Sequence, residues 1–474
     1  MEASAEDFIK SCESAAHEIS SYVKKGTSIQ IVGHDDADGV TGGSIIAQAV
    51  HRLGGYFHLK IVDRISEELI SQLAEIKSDI YVFTDIGSGY LDLLKPLTPA
   101  KVVVLDHHKP VEASFPNLIH VNPHHHGIDG ATEVSGSAVC YLAARGMGSE
   151  NKDLACLAVV GALADLQDRN EGRCLVSLNS LVVKDAEQIG FLEVTKDLLF
   201  YGRETRPLHR ALASTVEPFI PGLTGEEDKT LGFLINLGIP LKEDDRWRTI
   251  ADLKTEEKQT IFSKITMYLS SQGLPAASIL QLIGNVYTFL KEDRRTPLRD
   301  AREYGSLLNA CTRMEQEGVA VSICLGERGT SLEEAQRVFN EYRKTLARCI
   351  DGILKDRKRT VELENICVIR CEGIVDEKVL SPVTSIISSS GTIGSSKPII
   401  ALTKTKAGEV KASARGNAKL VKEGLDLGAI MKQATEKLGG RGGGHNIAAG
   451  ATVPLERDEE FISFVNQKVK ERSQ

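Results

Sequence analysis

Nowhere does this chain reach the roughly 20 consecutive apolar residues that a membrane-spanning helix needs. That lack excludes a helical membrane protein. The first residues, MEASAEDFIKSCESAAHEI, have neither a basic front nor an apolar centre, so no secretory signal is read there. A cytoplasmic protein with no membrane partner is expected. Paired cysteine motifs are missing as well. The nine cysteines are scattered, several inside apolar patterns (Cys140, Cys156, Cys311, Cys324), and the nearest two, Cys367 and Cys371, have no matching second pair. No zinc knuckle is indicated, and buried, reduced thiols are expected. Positive charge is in deficit: 57 Lys and Arg face 65 Asp and Glu, for a net charge of -8, with a pI near 5.9. This balance argues against a general nucleic-acid coat but not against a nuclease, whose acidic metal ligands enter the same count.

At 474 residues the chain exceeds one ordinary hydrophobic core, and two or three domains are expected. After an amphipathic first helix (Phe8, Ala15, Ala16, Ile19, Tyr22 and Val23 on one side) comes a repeated arrangement: an apolar run that ends in acid or imidazole. Ser28 to Gly33 leads into His34-Asp35-Asp36-Ala37-Asp38-Gly39. Asp79 to Thr84 leads into Asp85-Ile86-Gly87-Ser88-Gly89, and Val102 to Leu105 into Asp106-His107-His108. Such runs read as strands buried on both faces of a parallel sheet, and open α/β sheets bind ligands at the carboxyl ends of their strands. Imidazole and carboxylate together suit Mn²⁺, Fe²⁺ or Zn²⁺. His34, Asp36 and Asp38 alternate, so an extended segment would turn all three to one side. Plainer readings stand beside these: Asp85 or Asp106 as helix caps, surface histidines, an acidic turn bent at Gly39. Three successive strands ending in ligand-type groups make coincidence a poor account. Further strands over His58 to Val62 and Leu118 to Val121, and a helix over Glu67 to Ile76, complete an α/β pattern.

Asn122 to Gly127, NPHHHG, reads as a loop whose histidines either extend the site or face solvent. Helical patterns follow over Ser135 to Ala144 and Asp153 to Asp168. The second is apolar until Asp165, an acid that needs a cation or an arginine as partner. From about 177 to 290 the pattern changes, with Pro207, Pro218, Pro221, the run Glu243-Asp244-Asp245-Arg246 and the single tryptophan, Trp247. This reads as an inserted helical module without identifiable chemistry. Pro297 to Glu317 reads as one amphipathic connector helix, with Ala301, Tyr304, Leu308, Cys311 and Met314 spaced by three or four. A charged helix (Ser331 to Asp356), a strand (Ile366 to Arg370) and a hairpin (Pro398 to Thr403 with Glu409 to Ala414) come next. Gly439 to His445 then reads as a phosphate-binding loop whose exposed N–H groups are joined by Arg441 and His445; a flexible linker is the alternative. Arg415, with Lys411 and Ser413, is either a second phosphate contact or a surface arginine.

HDDADG, TDIGSG, VVVLDHH and the helix ending ALADLQD, in that order, resemble the four motifs of the DHH phosphoesterase superfamily. GGRGGGHNIAAG resembles the glycine-rich signature of its companion DHHA1 domain. HDDADG, the long insertion and AREYGSLLNACTR are most similar to archaeal RecJ-type nucleases, a group that includes the GINS-associated nuclease of the replication fork. The resemblance implies an α/β protein. Its parts would be a DHH domain with a parallel sheet flanked by helices (1–190), a helical insertion (191–296), a connector helix and linker (297–330) and a smaller α/β DHHA1 domain (331–474). It implies two divalent cations, Mn²⁺ with Mg²⁺ as the alternative. Asp36 and Asp38 would each serve one ion, Asp85 would bridge them, His107 and Asp165 would complete the second, and His34 matches a ligand histidine loosely. His108 would face the scissile phosphate, with Asp106 orienting His107 or its neighbours. Arg415, Gly443, Gly444 and His445 would hold the substrate's phosphate or terminal nucleotide; Arg441, standing where the family commonly has glycine, either adds a phosphate contact or points outward, and Ser413 and Gly442 are counted with the phosphate-binding residues from their place beside them. The implied activity is exonucleolytic hydrolysis of single-stranded DNA or RNA by metal-activated water, in replication or repair, with the GINS complex as a partner. A small-substrate phosphodiesterase and a fork scaffold are the alternatives. The first would not need so large an insertion, and decay to the second should have replaced ligand carboxylates that are all present.

Overall fold

The computed structural model describes residues 2–215, 219–273, 276–390, 393 and 396–472; Pro218 lies outside them. The chain forms two compact units, Met1–Phe339 and Asn340–Gln474. Among the described residues no helix is long and apolar enough to cross a membrane.

In the first unit the apolar runs become strands β1 (Ile29–His34), β2 (Phe57–Val62), β3 (Ile80–Thr84), β4 (Lys101–Leu105) and β5 (Leu118–Val121). They form a parallel sheet in the order β2-β1-β3-β4-β5. Side chains of a strand alternate between faces, and here both faces are covered. Ile80 and Val82 join a core with helices α1 (Glu2–Lys24), α2 (Ala37–Arg52), α4 (Gly136–Met147), α5 (Ala155–Ala164) and α6 (Ser177–Gln188). Tyr81 and Phe83 join the opposite core with helix α3 (Glu67–Ile76). On α1 the spacing holds: Phe8, Ala15, Ala16, Ile19 and Val23 are buried. The strand order reverses between β1 and β3, the point at which such sheets open a crevice for ligands.

Three segments of this unit differ from the sequence reading. The helix expected over Asp153 to Asp168 starts after a 3₁₀ segment (Ser149–Leu154) and stops at Ala164, because Leu166 takes a left-handed conformation (φ 61°) that turns the chain. Asp165 and Asp168 therefore belong to a loop. The insertion is helical in its body, with α7 (Leu208–Ala213), α8 (Glu227–Asn236) and α9 (Thr255–Ser271) around Leu212, Leu234, Ile261 and Ile265. Its flanks, however, pair as an antiparallel ribbon, β6 (Leu192–Leu198) with β9 (Ile283–Phe289). The acidic run forms the tip of a small hairpin, β7 (Lys242–Glu243) and β8 (Arg246–Trp247), with Asp244 and Asp245 in the left-handed region. Lastly, the connector is two helices. Asp300 caps α10 (Ala301–Arg313) by accepting the N–H groups of Arg302 and Glu303, and a left-handed Glu315 (φ 58°) separates it from α11 (Glu317–Cys324).

Helix α12 (Thr330–Lys355) runs through the division between the units. The second unit's sheet comprises β10 (Thr360–Glu362), β11 (Cys367–Arg370), β12 (Ile399–Lys404), β13 (Glu409–Arg415), β14 (Arg441–Gly444) and β15 (Ala448–Pro454). Its order is β10-β11-β12-β13-β15-β14, with β11 and β12 parallel and the other pairs antiparallel. Helix α13 (Leu380–Ser390) packs on one face, and α14 (Leu427–Leu438) with α15 (Asp458–Arg472) on the other. The glycine-rich segment expected to be a loop is the edge strand β14. Gly442, Gly443 and Gly444 pair with Ala451, Gly450 and Ala449. Close helix packing accounts for part of the glycine content: a Cβ on Gly442 would stand 2.9 Å from the Met431 carbonyl oxygen of α14.

Candidate metal centre

Ligand-type atoms from four separate stretches of sequence meet at the carboxyl ends of β1, β3 and β4. They form three groups, each with its atoms within 4.8 Å of one another: His34, Asp36 and Asp85; Asp85, His107 and His108; Asp38, His107 and Asp165. Asp85 and His107 each belong to two of these. Asp85 follows β3 in the left-handed region (φ 58°) and is 1% exposed. Its Oδ2 lies 3.6 Å from His34 Nδ1 and its Oδ1 3.2 Å from His107 Nε2. His107 Nε2 is also 3.8 Å from Asp38 Oδ2 and 3.9 Å from Asp165 Oδ2.

The alternation of His34, Asp36 and Asp38 does not operate as an extended segment would. β1 ends at His34, and Asp36 is already the N-cap of α2, accepting the Gly39 N–H at 2.9 Å. An aspartate that satisfies a free helix N–H favours this early start. Asp38, in the first turn, is directed to the N-terminus of α4, where it accepts the N–H of Gly136 (2.7 Å), the N–H of Ser137 (3.1 Å) and the Ser137 hydroxyl. Asp36 and Asp38 thus enter different ligand groups.

The donor set fits divalent cations. Both oxygens of the Asp85 carboxylate, and His34 Nδ1, are buried without a hydrogen-bond partner among the described residues, although the two side chains are within ion-pair distance. His34 Nδ1 also lies 3.0 Å from Asp36 Oδ2; burying such groups with ion-pair contacts but no hydrogen bond is costly, and a cation bound by carboxylate and imidazole would satisfy them. The titration behaviour reflects the same crowding. Burial, and then the Asp85 carboxylate, push Asp38 up to about 8. Burial also works against ionised Asp36, yet the His34 imidazole and the Gly39 N–H hold it well below the usual carboxylate range. His107 is held well above its ordinary value against burial by Asp85 and Asp165.

Several residues that the sequence did not mark position these candidate ligands. His107 Nδ1 is 2.6 Å from the Gly130 carbonyl oxygen, so Nδ1–H donates there and Nε2 faces the carboxylates. The Gln167 amide donates to the same carbonyl (2.9 Å) and to Asp165 Oδ2 (2.9 Å), and its own oxygen accepts from Asn179 (2.6 Å). Gln167, beside His107, thus gives Asp165 a neutral donor, not the cation or arginine expected, and the Asp165 side chain is 38% exposed. Asp106 caps no helix. It accepts the backbone N–H groups of Ser88 and His107 (both 2.8 Å) and lies 2.8 Å from His108 Nδ1, so the ring it orients is that of His108. A Cβ on Gly136 would collide with Asp85, and one on Gly161 with Asp38 and Ser137. Gly161 had a signal in the sequence, since a glycine inside an apolar helix costs about 1 kcal/mol relative to alanine. The NPHHHG histidines join none of the three ligand groups. Pro123–His126 is a 3₁₀ turn, His125 Nε2 lies 3.1 Å from His120 Nδ1, and His126 packs on Phe8.

In the second unit, cross-strand register aligns Ser413 with Gly450 and Gly443, and Lys411 with Thr452 and Arg441. Lys411, Ser413, Arg415, Arg441 and Gly443 therefore share one face of the sheet, while Gly442 and Gly444 alternate to the other. Arg415 donates to Ser385 Oγ (2.8 Å) and Ser381 Oγ (2.6 Å) of α13. The Ser413 hydroxyl is buried with no hydrogen-bond partner among the described residues. His445 is exposed beyond β14, its N–H donating to the Ala448 carbonyl at 2.8 Å. A Cβ on Gly443 would meet nothing within 4 Å, so protein packing does not demand glycine there.

Three family profiles match this chain: the DHH family N-terminal domain over residues 28–162, the DHH-CID domain over 200–283 and the DHHA1 domain over 364–471. An uncharacterised protein of Methanocaldococcus jannaschii is 32% identical over 451 residues, covering 94% of each chain. The single-stranded-DNA-specific exonuclease RecJ of Thermus thermophilus is 29% identical over 119 residues, 23% of this chain and 18% of RecJ. The crystal structure of that RecJ with Mn²⁺ matches with a TM-score of 0.59 at 17% identity, over 98% of this chain and 55% of the other. This chain thus spans about half of the RecJ chain. CDC45 from Entamoeba histolytica matches with a TM-score of 0.62 at 12% identity, over 98% and 99% of the two chains. At these identities the structural matches speak to fold alone.

Proposed function

The chain belongs to the DHH/DHHA1 superfamily as a RecJ-like member, and from that premise we propose that it is a metal-dependent exonuclease acting on single-stranded DNA or RNA. The observation that supports this most is the buried, hydrogen-bond-free Asp85 carboxylate, set between the His34–Asp36 pair and His107. In this reading His34, Asp36 and Asp85 hold one cation, and Asp38, His107 and Asp165 hold the other with Asp85 between them. Mn²⁺ is the ion proposed, with Mg²⁺ as the alternative. When bound, two such ions supply an activated water and neutralise charge on the phosphate.

The chain's own groups do the rest. Gly130 fixes the His107 tautomer so that Nε2 remains a ligand. His108 is half exposed, and the Asp106 carboxylate at its Nδ1 holds its pKa above the ordinary value against the effect of burial. His108, at the mouth of the site, is placed to donate to the phosphate oxygens or to the departing oxygen. Ser413, Arg415, Arg441, Gly443 and His445 bind the strand's phosphates, for which two arginines and a strand edge are suitable donors. Gly442 and Gly444 support that edge from its other side.

A product ladder tests the reading. End-labelled single-stranded DNA and RNA of one sequence are digested with Mn²⁺ and then with Mg²⁺. Stepwise release of mononucleotides is expected; hydrolysis confined to di- and trinucleotides points to the small-substrate alternative.

The resemblance to the GINS-associated nuclease also supports a fork role, with the insertion or the adjoining face of the first unit as a docking surface. Co-elution with the GINS complex of the same organism, at micromolar concentration and moderate salt, is the expected result. If the intact protein never associates, the fork role fails and the nuclease reading stands alone.

A further inference from the structure

Helix α10 touches two of the four stretches that carry the proposed metal ligands, the one around Asp36 and Asp38 and the one around Asp165, and the insertion as well. Arg302 in its first turn places Nη2 2.5 Å from Oδ2 of Asp168, a buried residue in the same loop as Asp165. Seven residues on, Asn309 Oδ1 accepts the Ala37 N–H at 2.9 Å, in the turn between Asp36 and Asp38. Gly305 lies between them on the same stripe, since residues three and four apart share a helix face. There the helix comes close to α5: a Cβ on Gly305 would stand 2.9 Å from that of Ala164. The same first turn also holds the insertion at two places, its flank β9 and the segment after β6. Arg302 Nη1 donates to the Asn285 carbonyl of β9 at 2.8 Å. Glu303 accepts the Glu204 N–H (2.6 Å) and the Thr205 hydroxyl.

We infer that α10 is a positioning element that fixes two of the four ligand-bearing stretches, those of Asp36–Asp38 and of Asp165, and that the insertion holds α10 in register. The Asp165–Asp168 loop needs such support because Leu166 is held in a left-handed conformation. Without Arg302 the buried Asp168 carboxylate keeps Arg173 at 3.9 Å, and the loop is freed to shift. Asp165 and Gln167 would move with it, and Gln167 shares the Gly130 carbonyl with His107. Losing Asn309 would release the start of α2, at Asp36 and Asp38. Cation affinity, and not stability alone, then depends on a helix that carries no ligand.

The inference rests on the metal-centre reading, and Mn²⁺ titration of the full chain without substrate tests the two separately. Arg302→Met, Asp168→Asn and Asn309→Ala are each expected to weaken Mn²⁺ binding by about tenfold or more, the usual cost of losing a group that orients ligands. The Arg302→Met and Asp168→Asn double variant should bind no worse than the poorer single one, because both remove one contact. Adding Asn309→Ala to Arg302→Met should compound the loss. Arg302→Lys, which keeps the charge, should recover part of the affinity. Mn²⁺ should also slow amide exchange of Glu204 and of Ala301–Arg313 in the unaltered protein, since coupling between sites is reciprocal. Arg302→Met and Asn309→Ala proteins that bind Mn²⁺ within twofold of the parent, whatever their melting temperatures, would reduce α10 to scaffolding. Unchanged exchange at Glu204 would remove the insertion from the account. A parent protein that binds no Mn²⁺ would overturn the metal-centre reading and this inference with it.

Discussion

In the first unit the proposed metal ligands gather at the carboxyl ends of β1, β3 and β4, whereas in the second the proposed substrate contacts stand along one face of β13 and β14. Ends of neighbouring parallel strands lie about 4.8 Å apart, so short side chains on the following turns converge on one small volume. Convergence suits an ion. A sheet face spreads its side chains at strand spacing in one direction and at two-residue intervals in the other, which suits an extended chain of phosphates. The supports differ accordingly. Asp38, Asp106 and His107 are buried and held by backbone groups, while His445 is exposed and Arg415 is held by two serines.

The sharpest way to break this contrast is at Asp85. Asp85→Ala is expected to lower hydrolysis by about 10³-fold or more, the scale on which a metal-generated nucleophile acts. Its fold should persist, and its Mn²⁺ binding should fall in the same titration. Turnover like that of the parent, with metal supplied, would dissolve the proposed role of the first unit. Next in size are two neighbouring glycines on opposite faces of β14. Gly442→Ala should lose about 1–3 kcal/mol of stability through collision with α14. Gly443→Ala should melt with the parent and bind single strands less well; equal stability losses in both would deny that β14 has one packed and one open side.

A smaller effect is expected on the substrate face. His445→Ala and Arg415→Ala should each weaken binding of long single strands by about tenfold, the loss of one phosphate contact. Mn²⁺ content should not change. Arg415→Ala should also melt earlier, because it releases Ser381 and Ser385. Metal loss in either variant would mean that the face has been assigned the wrong task. The smallest effect returns to the first unit. Burial, and then Asp300, push Glu303 up to about 8. A carboxyl raised on folding contributes stability in full below its ordinary value, and that contribution disappears as pH rises through about 8. Melting temperatures of Glu303→Gln and the parent should therefore agree near pH 4.5, with the variant gaining as pH rises. A constant difference across that range would show that Glu303 does not titrate as described. Because Glu303 ties the insertion to α10, deleting the insertion to test GINS docking should also disturb the metal loops. Point substitutions on its outer surface are the cleaner test.

The sequence by itself determined the parallel-sheet core and the identities of the convergent residues. A buried strand and the loop that follows it are continuous in the chain, so an apolar run ending in Asp85, or in Asp106-His107-His108, carries its own position. The edge-strand state of Arg441–Gly444 was not legible in this way. Its glycines are explained by α14 and β15, which only the folded sheet brings alongside. The same holds for the supports of the centre. Ser137 meets Asp38 across 99 residues, Arg302 meets Asp168 across 134 and Asn309 meets Ala37 across 272. Single polar residues at such separations have no periodicity or spacing to betray them. Only tertiary structure decided which would touch, because burying a carboxylate requires a donor at its oxygens and packing alone selects which distant segment supplies it.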